Sequence, residues 1–188
     1  DQPVEILREI SHAADADALR ALNQRARALV LRYLTNAASS DWLARFTSRV
    51  DANIVRRVIA MAAPEELPAC WCFCGSSGRG ESLTMLAPQL VMIVDDSQEQ
   101  SRSLGAYQRV LDLLGECGYL PNTDSPFETS FYAARLTEWR QRYYDWVSDP
   151  ILNGISQARP MFDLRHICGR ESTWQEVEAT AMHAVHGA

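Results

Sequence analysis

Lysine is absent from this sequence of 188 residues, so all 18 basic side chains other than histidine are arginines. Schiff-base catalysis, a Walker-type phosphate loop and a kinase-type phosphate site each use a lysine, so we expect none of them. Any bound phosphate must therefore be held by arginine, backbone N–H groups, a helix N-terminus or a metal ion.

Long apolar runs are also absent, because none approaches the ~20 residues that a membrane-spanning helix requires. The first residues lack the basic and apolar pattern of a signal peptide. The net charge of −6 argues against non-specific binding to a nucleic-acid backbone. We therefore expect neither a membrane nor a nucleic acid as a partner.

Cysteine and histidine patterns that would indicate a metal site or a catalytic nucleophile are missing as well. The five cysteines include no CxxC pair, and the four histidines have no ligand spacing. Cys70, Cys72 and Cys74 alternate along a probable strand, where neighbours do not bridge easily. These features favour reduced, buried thiols in a cytoplasmic protein. Ser76 and Ser77 do not form the G-x-S-x-G elbow of a hydrolase.

Hydrophobic periodicity predicts a helical first third. Apolar residues at helical spacing indicate one helix from about Val4, a second from Asp15 or Asp17 to about Thr35, and a third. The third begins at the cap-like residues 39–41 and ends before the prolines that follow it. These apolar stripes are typical of a helix-bundle core, and we see no chemistry in them.

The remainder of the chain is predicted to be mixed. Short apolar runs indicate strands at residues 70–74, 89–94 and 160–168. Helices are predicted at residues 97–117 and 129–148, after Pro150, and near the C-terminus from Ser172 or Thr173. Together these elements predict an α+β or α/β core with a small sheet, an N-terminal helical segment and C-terminal helices. The predicted segments are residues 1–66, 67–120 and 121–188.

The polar loop after the first strand, residues 75–81, is the most informative stretch. Its small residues let the backbone approach a ligand closely, and consecutive N–H groups can surround an anion. Arg79 adds a permanent planar charge that suits a phosphate. Glu81 would orient Arg79 or begin the next helical turn. The loop is either a phosphate site or a plain connection.

Asp163 is an acid inside the apolar run of residues 160–168. Such a group is costly to bury unless it is paired or bound to a metal. If that run is a strand, Asp163 and Arg165 share one face, and a structural ion pair is one interpretation. The other interpretation is a metal ligand that faces the glycine loop.

Two separated patterns resemble one known family. The G-S-x-G-R-x-E pattern of residues 75–81, between two apolar strands, resembles the loop of nucleotidyltransferases related to PII-protein uridylyltransferase, in the DNA polymerase β superfamily. The tryptophan-bearing helix at Trp139 and Trp146, followed by F-D-L-R at residues 162–165, resembles the C-terminal region of that family. The resemblance spans roughly residues 69–180.

This resemblance implies a mixed sheet of the nucleotidyltransferase type. It also implies transfer of a nucleoside monophosphate from a nucleoside triphosphate to an acceptor hydroxyl, with Mg²⁺ ions held by carboxylates. A protein acceptor or a sensory domain would be the partner. By analogy, the nucleotide-binding residues are Gly75, Ser76, Gly78, Arg79 and Glu81. Asp163 would be the catalytic and metal-binding carboxylate.

The sequence departs from the family pattern in one respect. The family has an acid-x-acid pair at the start of the second strand, whereas residues 84–91 contain no acid. Asp95 and Asp96 follow that strand, ~20 Å further along. Two interpretations stay open: a catalytically degenerate nucleotide-sensing or partner-binding module, or a sequence from which a few residues near Pro88 and Asp124 are missing.

Overall fold

The computed structural model describes residues 2–36, 39–63, 68–83, 85–123 and 125–187. The chain divides into two compact units, each assembled from separate stretches of sequence. The first unit comprises Asp1–Pro64, Gly80–Pro88 and Gln108–Thr123, and the second comprises Glu65–Arg79, Gln89–Tyr107 and Asp124–Ala188. The three segments expected from the sequence stay predictions.

Helices predominate over strands in the described residues. None of these helices is long and apolar enough to cross a membrane. In chain order the elements are α1 (Pro3–His12), α2 (Ala16–Thr35), α3 (Ser40–Ala62), β1 (Ala69–Phe73), α4 (Gly75–Arg79), β2 (Leu90–Val94), α5 (Gln100–Glu116), α6 (Thr129–Tyr132), β3 (Ala133–Arg135), α7 (Leu136–Ser148), α8 (Ile155–Ala158), the 3₁₀ helix η1 (Arg159–Phe162), β4 (Arg165–Gly169) and α9 (Glu171–Gly187).

The first unit is built on α1, α2 and α3, which pack against one another. Side-chain caps explain where two of these helices begin. The carboxylate of Asp15 accepts the N–H of Ala18 at 2.8 Å, and the hydroxyl of Ser39 accepts the N–H of Trp42 at 3.2 Å. Each cap satisfies a backbone donor that has no partner within the helix. The three predicted N-terminal helices are confirmed.

The second unit contains a four-stranded mixed sheet in the order β3-β2-β1-β4. Strand β1 is antiparallel to both β2 and β4, whereas β2 and β3 are parallel. Every residue of β1 and β2 is buried, which explains why both strands are continuous apolar runs. The α+β prediction with a small mixed sheet is confirmed.

Strand β3 was not expected, because residues 129–148 have helical spacing throughout. The structure instead places a short strand between α6 and α7, where Ala133–Arg135 pairs with residues 92–94 of β2. Ala133 and Ala134 are buried there. The prediction of one continuous helix is wrong, because pairing with the otherwise unpaired edge of β2 outweighs local helix propensity.

The predicted strand over residues 160–168 begins later than expected, at Arg165. Pro160 lies in the first turn of η1, because its ring restricts φ to helical values and it has no N–H for a sheet. Asp163 therefore follows η1, and its N–H donates to the carbonyl of Pro160 at 3.2 Å. The expectation that Asp163 lies within a strand and shares a face with Arg165 is wrong.

Candidate functional site

The glycine-rich stretch after β1 forms the one-turn helix α4, where a flexible loop was expected. Gly75 has φ +57°, a left-handed conformation that side chains other than glycine rarely adopt. A Cβ on Gly75 would lie 2.2 Å from Oε1 of Gln89 and 3.2 Å from Cβ of Pro160. Glycine is thus required at this position both by backbone conformation and by space.

Gly78 allows the turn to approach Asp163. A Cβ on Gly78 would lie 1.8 Å from the backbone oxygen of Asp163, which no real side chain could tolerate. The intervening Ser76 is exposed. The two glycines are therefore explained by the close approach of the Asp163 backbone at Gly78 and of the Gln89 and Pro160 side chains at Gly75.

Arg79 and Asp163 form an ion pair across this approach. Nη1 of Arg79 lies 2.7 Å from Oδ2 of Asp163, and the side chains are 45% and 34% exposed. The structure therefore brings together the glycine turn, the arginine and the carboxylate that the sequence placed 84 positions apart.

Three further residues hold the turn in place. The hydroxyl of Ser77 accepts the N–H of Gln89 at 3.2 Å, and the carbonyl of Gln89 accepts the N–H of Cys74 at 3.0 Å. Nη2 of Arg165 donates to the carbonyl of Ser77 at 3.0 Å, and its guanidinium lies over the ring of Phe73. Sequence reasoning missed Ser77 and Gln89. Their only signal was their position beside β1 and β2.

An aromatic cluster packs against η1, the short helix that precedes Asp163. The hydroxyl of Tyr143 donates a hydrogen bond to the carbonyl of Met161. The ring of Phe162 packs edge-on against Tyr143 at 5.2 Å and lies 6.0 Å from Trp146. Burial raises the pKa of Tyr143, so its hydroxyl stays protonated and able to donate. Helix α7 thereby positions η1 and the residue that follows it.

Glu81, the last predicted nucleotide-binding residue, belongs to the first unit. It is exposed and lies in an irregular stretch after Gly80, so the expectation that it begins a helical turn is wrong. The left-handed Gly80, with φ +70°, ends the α4 turn before that stretch. Glu81 is therefore part of the first unit, whereas the α4 turn is part of the second.

The described residues do not fit the expected magnesium centre. Asp163 already binds a guanidinium, and among the described residues no group of three His, Cys, Asp or Glu side chains could hold a metal ion. Hydrogen bonds from Ser97 lower the pKa of Asp95, and those from Thr137 lower the pKa of Asp96. Both carboxylates are thus engaged where β2 ends. No catalytic step through a metal follows from this arrangement.

The alternating cysteines are buried, as the sequence predicted. Sγ of Cys70 lies 3.7 Å from Sγ of Cys72, and none of the five described cysteines forms a disulfide. Burial raises the pKa of Cys74 to about 12. A thiol with such a pKa is a poor nucleophile at neutral pH. These cysteines therefore serve the core of the sheet.

Comparison with known proteins assigns most of the chain to one family. Residues 24–151 match the family described as putative nucleotidyltransferase DUF294. No curated protein and no solved structure matches the chain. The matched residues include the α4 turn and β2, and they end before Asp163. Because the match covers more than half of the sequence, it supports a general nucleotidyltransferase function, and the chain belongs to the DUF294 family of putative nucleotidyltransferases.

Proposed function

We propose that this protein binds a nucleoside triphosphate at the α4 turn. The observation that carries the proposal is the half-exposed guanidinium of Arg79 at the end of a glycine turn that also carries the exposed Ser76. An exposed ion pair such as Arg79–Asp163 contributes only about 0–1 kcal/mol, so a phosphate can compete for the guanidinium. Arginine then offers paired donors that match phosphate oxygens.

Each residue of the turn has a distinct part in this proposal. Gly75 and Gly78 shape the turn, since Gly75 adopts a left-handed conformation and Gly78 leaves room for the backbone of Asp163. A contact of either glycine with a phosphate stays a prediction. The exposed hydroxyl of Ser76 donates to a phosphate, and Arg79 neutralises its charge. Asp163 holds Arg79 in place before the ligand arrives. A contact from Glu81 stays a prediction.

Binding without transfer is the activity that the described side chains favour. The start of β2 lacks acids, and Asp163 is paired with Arg79. The protein would then be a regulatory module that senses nucleotide and passes the signal to a partner. We expect that partner to be a sensory domain. A cytoplasmic location likewise stays a prediction.

Transfer of a nucleoside monophosphate to an acceptor hydroxyl is the second candidate. Membership of a nucleotidyltransferase family favours it. The acceptor would be a protein if the resemblance to PII-protein uridylyltransferase extends to the substrate. This reaction would require Mg²⁺ and carboxylates beyond those that the described residues bring together.

Calorimetry with ATP, CTP, GTP and UTP tests the binding site. We expect Arg79→Ala to weaken binding at least about tenfold, since a charge-assisted hydrogen bond contributes about 1.5–3 kcal/mol. The matched control is Arg45→Ala, which removes another exposed arginine paired with an aspartate, Asp41, at 3.0 Å. Equal binding by Arg79→Ala and wild type would disprove the site.

Release of pyrophosphate separates the two candidates. The wild-type protein is incubated with each bound nucleotide, Mg²⁺ and candidate protein acceptors. Nucleotide binding without pyrophosphate release supports the sensing module. Release that is lost in Asp163→Asn supports transfer, and it would overturn our preference for binding alone.

A further inference from the structure

We infer that the nucleotide binds at the α4 turn without a divalent metal ion, through neutral and cationic donors only. This inference rests on the proposed function and narrows its ligand to the metal-free nucleotide. It follows from the chemistry of the groups that surround the turn. Two positions decide it, Asp163 and Gln89.

Asp163 lies at the turn through its ion pair with Arg79, and it does not offer a bare carboxylate. Oδ2 accepts a hydrogen bond from Nη1 of Arg79 at 2.7 Å. Mg²⁺ binds through carboxylates and phosphate oxygens, and it keeps several waters. A cationic guanidinium in direct contact with this carboxylate disfavours a second cation there. The same guanidinium already supplies positive charge for a phosphate.

Gln89 places a neutral amide where the turn begins. Its backbone is held on both sides, since its N–H donates to the hydroxyl of Ser77 and its carbonyl accepts from Cys74. Its side-chain Oε1 fills the space beside Gly75 that a Cβ would otherwise occupy. The backbone of Gln89 is therefore fixed against the turn, and its side chain ends beside Gly75.

The amide of Gln89 can act on a phosphate directly. Among the residues that the structure describes, its side chain has no hydrogen-bond partner, and the residue is half-exposed. An amide has two N–H donors and no charge, so it can donate to an anion, and its oxygen is a weaker ligand of Mg²⁺ than a carboxylate. Arg79 and Gln89 together thus supply donors that need no metal.

The first experiment compares the wild-type protein in two buffers. Binding of the four ribonucleoside triphosphates is measured by calorimetry in EDTA and in excess MgCl₂. We expect the Kd in EDTA to be equal to, or lower than, the Kd in MgCl₂. A Kd that rises tenfold or more in EDTA would overturn the inference and leave the binding site intact. No binding in either buffer would overturn the inference together with the proposed function.

The second experiment changes the charge at Gln89 without changing its size. Gln89→Glu places a carboxylate beside Gly75. In EDTA we expect this variant to bind nucleotide at least tenfold more weakly than the wild type. Adding MgCl₂ should then strengthen its binding at least threefold. If Gln89→Glu bound nucleotide in EDTA as tightly as the wild type, Gln89 would not face the ligand. Gln89→Met, which is neutral and similar in size, is the matched variant, and we expect a smaller loss that MgCl₂ does not recover. Recovery of Gln89→Met by MgCl₂ would also count against the inference.

Discussion

The two units each contain an arginine–aspartate pair, and the pairs differ in burial. In the first unit, Nη2 of Arg27 lies 2.5 Å from Oδ1 of Asp51, with side chains 13% and 6% exposed. In the second unit, Arg79 and Asp163 meet at 2.7 Å, with side chains 45% and 34% exposed. The same two side-chain types therefore occupy very different surroundings.

The buried pair is part of a network that joins α2 and α3 to the residues after α5. The hydroxyl of Tyr119 donates to Oδ1 of Asp51 at 2.6 Å, and Nε of Arg27 donates to Oδ1 of Asn23 at 3.1 Å. Nδ2 of Asn23 donates to the carbonyl of Cys117 at 3.1 Å. Burial, followed by the charge of Asp51, raises the pKa of Tyr119, which keeps the phenol a donor. This network is structural.

The comparison shows that the same pairing has different energetic consequences when it is buried and when it is exposed. A buried charge must keep its partner, because losing that partner leaves an uncompensated ion in a medium of low polarity. An exposed charge loses little when its partner leaves, since water replaces the contact. Under the proposed function, Arg79 would therefore exchange its partner for a phosphate at small cost, whereas the same exchange at Arg27 would be costly.

The largest effect that tests this comparison is expected from Asp51→Ala. Removing one partner of a buried pair costs about 3–5 kcal/mol, because Arg27 is left charged and unpaired. The measurement is the free energy of unfolding from urea titration. Asp163→Ala is the matched variant in the second unit, and there we expect a loss of only about 0–1 kcal/mol.

A double variant identifies the origin of that loss. Adding Arg27→Met to Asp51→Ala removes the unpaired guanidinium, so we expect the protein to recover at least about 1 kcal/mol. No recovery would mean that Tyr119 or the packing around Asp51 carries the effect. Equal losses for Asp51→Ala and Asp163→Ala would refute the contrast between the pairs.

A smaller effect is expected from Gly78→Ala. The new methyl group would lie 1.8 Å from the carbonyl oxygen of Asp163, so the turn must shift at a cost of about 1–3 kcal/mol. Nucleotide binding, measured by calorimetry, should fall with it. The control is Gly115→Ala in α5, where a Cβ meets nothing within 4 Å. We expect that variant to gain about 0.5–1 kcal/mol and to bind as wild type.

The smallest effect is expected from alkaline pH. Burial raises the pKa of Cys74 to about 12 and the pKa of Cys117 to about 11, both above the ordinary value of 9.0. The unfolded chain therefore releases these protons first, and stability is lost as pH rises from about 9. Each thiol should contribute a loss of about 1.4 kcal/mol per pH unit above its ordinary pKa.

Urea titrations at several pH values between 8 and 10 measure that loss. Replacing Cys117 in the first unit by Ala should remove its share of the decrease in unfolding free energy per pH unit. Replacing Cys74 in the second unit by Ala should do the same. Since both thiols are buried, the two units should respond alike, in contrast to their ion pairs. A slope that neither replacement changes would exclude Cys74 and Cys117 as its cause.

Much of the fold could be predicted because local signals agree with tertiary packing. Asp15 and Ser39 cap the helices that their positions predicted. The apolar runs of β1 and β2 are strands because each is buried at every position. The pairing of Arg79 with Asp163 could not be read from local patterns, since it depends on how η1 and β4 place Asp163.

Two elements show why local patterns fail elsewhere. Ala133–Arg135 has no strand pattern of its own, and it becomes β3 only because the edge of β2 is available to pair with it. Gln89 attracted no notice in the sequence, because an amide at the start of a strand is unremarkable until its contacts with Gly75 and Ser77 are known.

Composition and local spacing were enough to establish the absence of lysine chemistry, the three N-terminal helices, the small mixed sheet and the glycine turn with its arginine. These features depend on side-chain chemistry and on interactions between near neighbours in the chain. The partner of Arg79, the place of Asp163 outside a strand and the neutral amide beside Gly75 were decided by tertiary structure. They depend on contacts between distant residues, whose geometry no local pattern encodes.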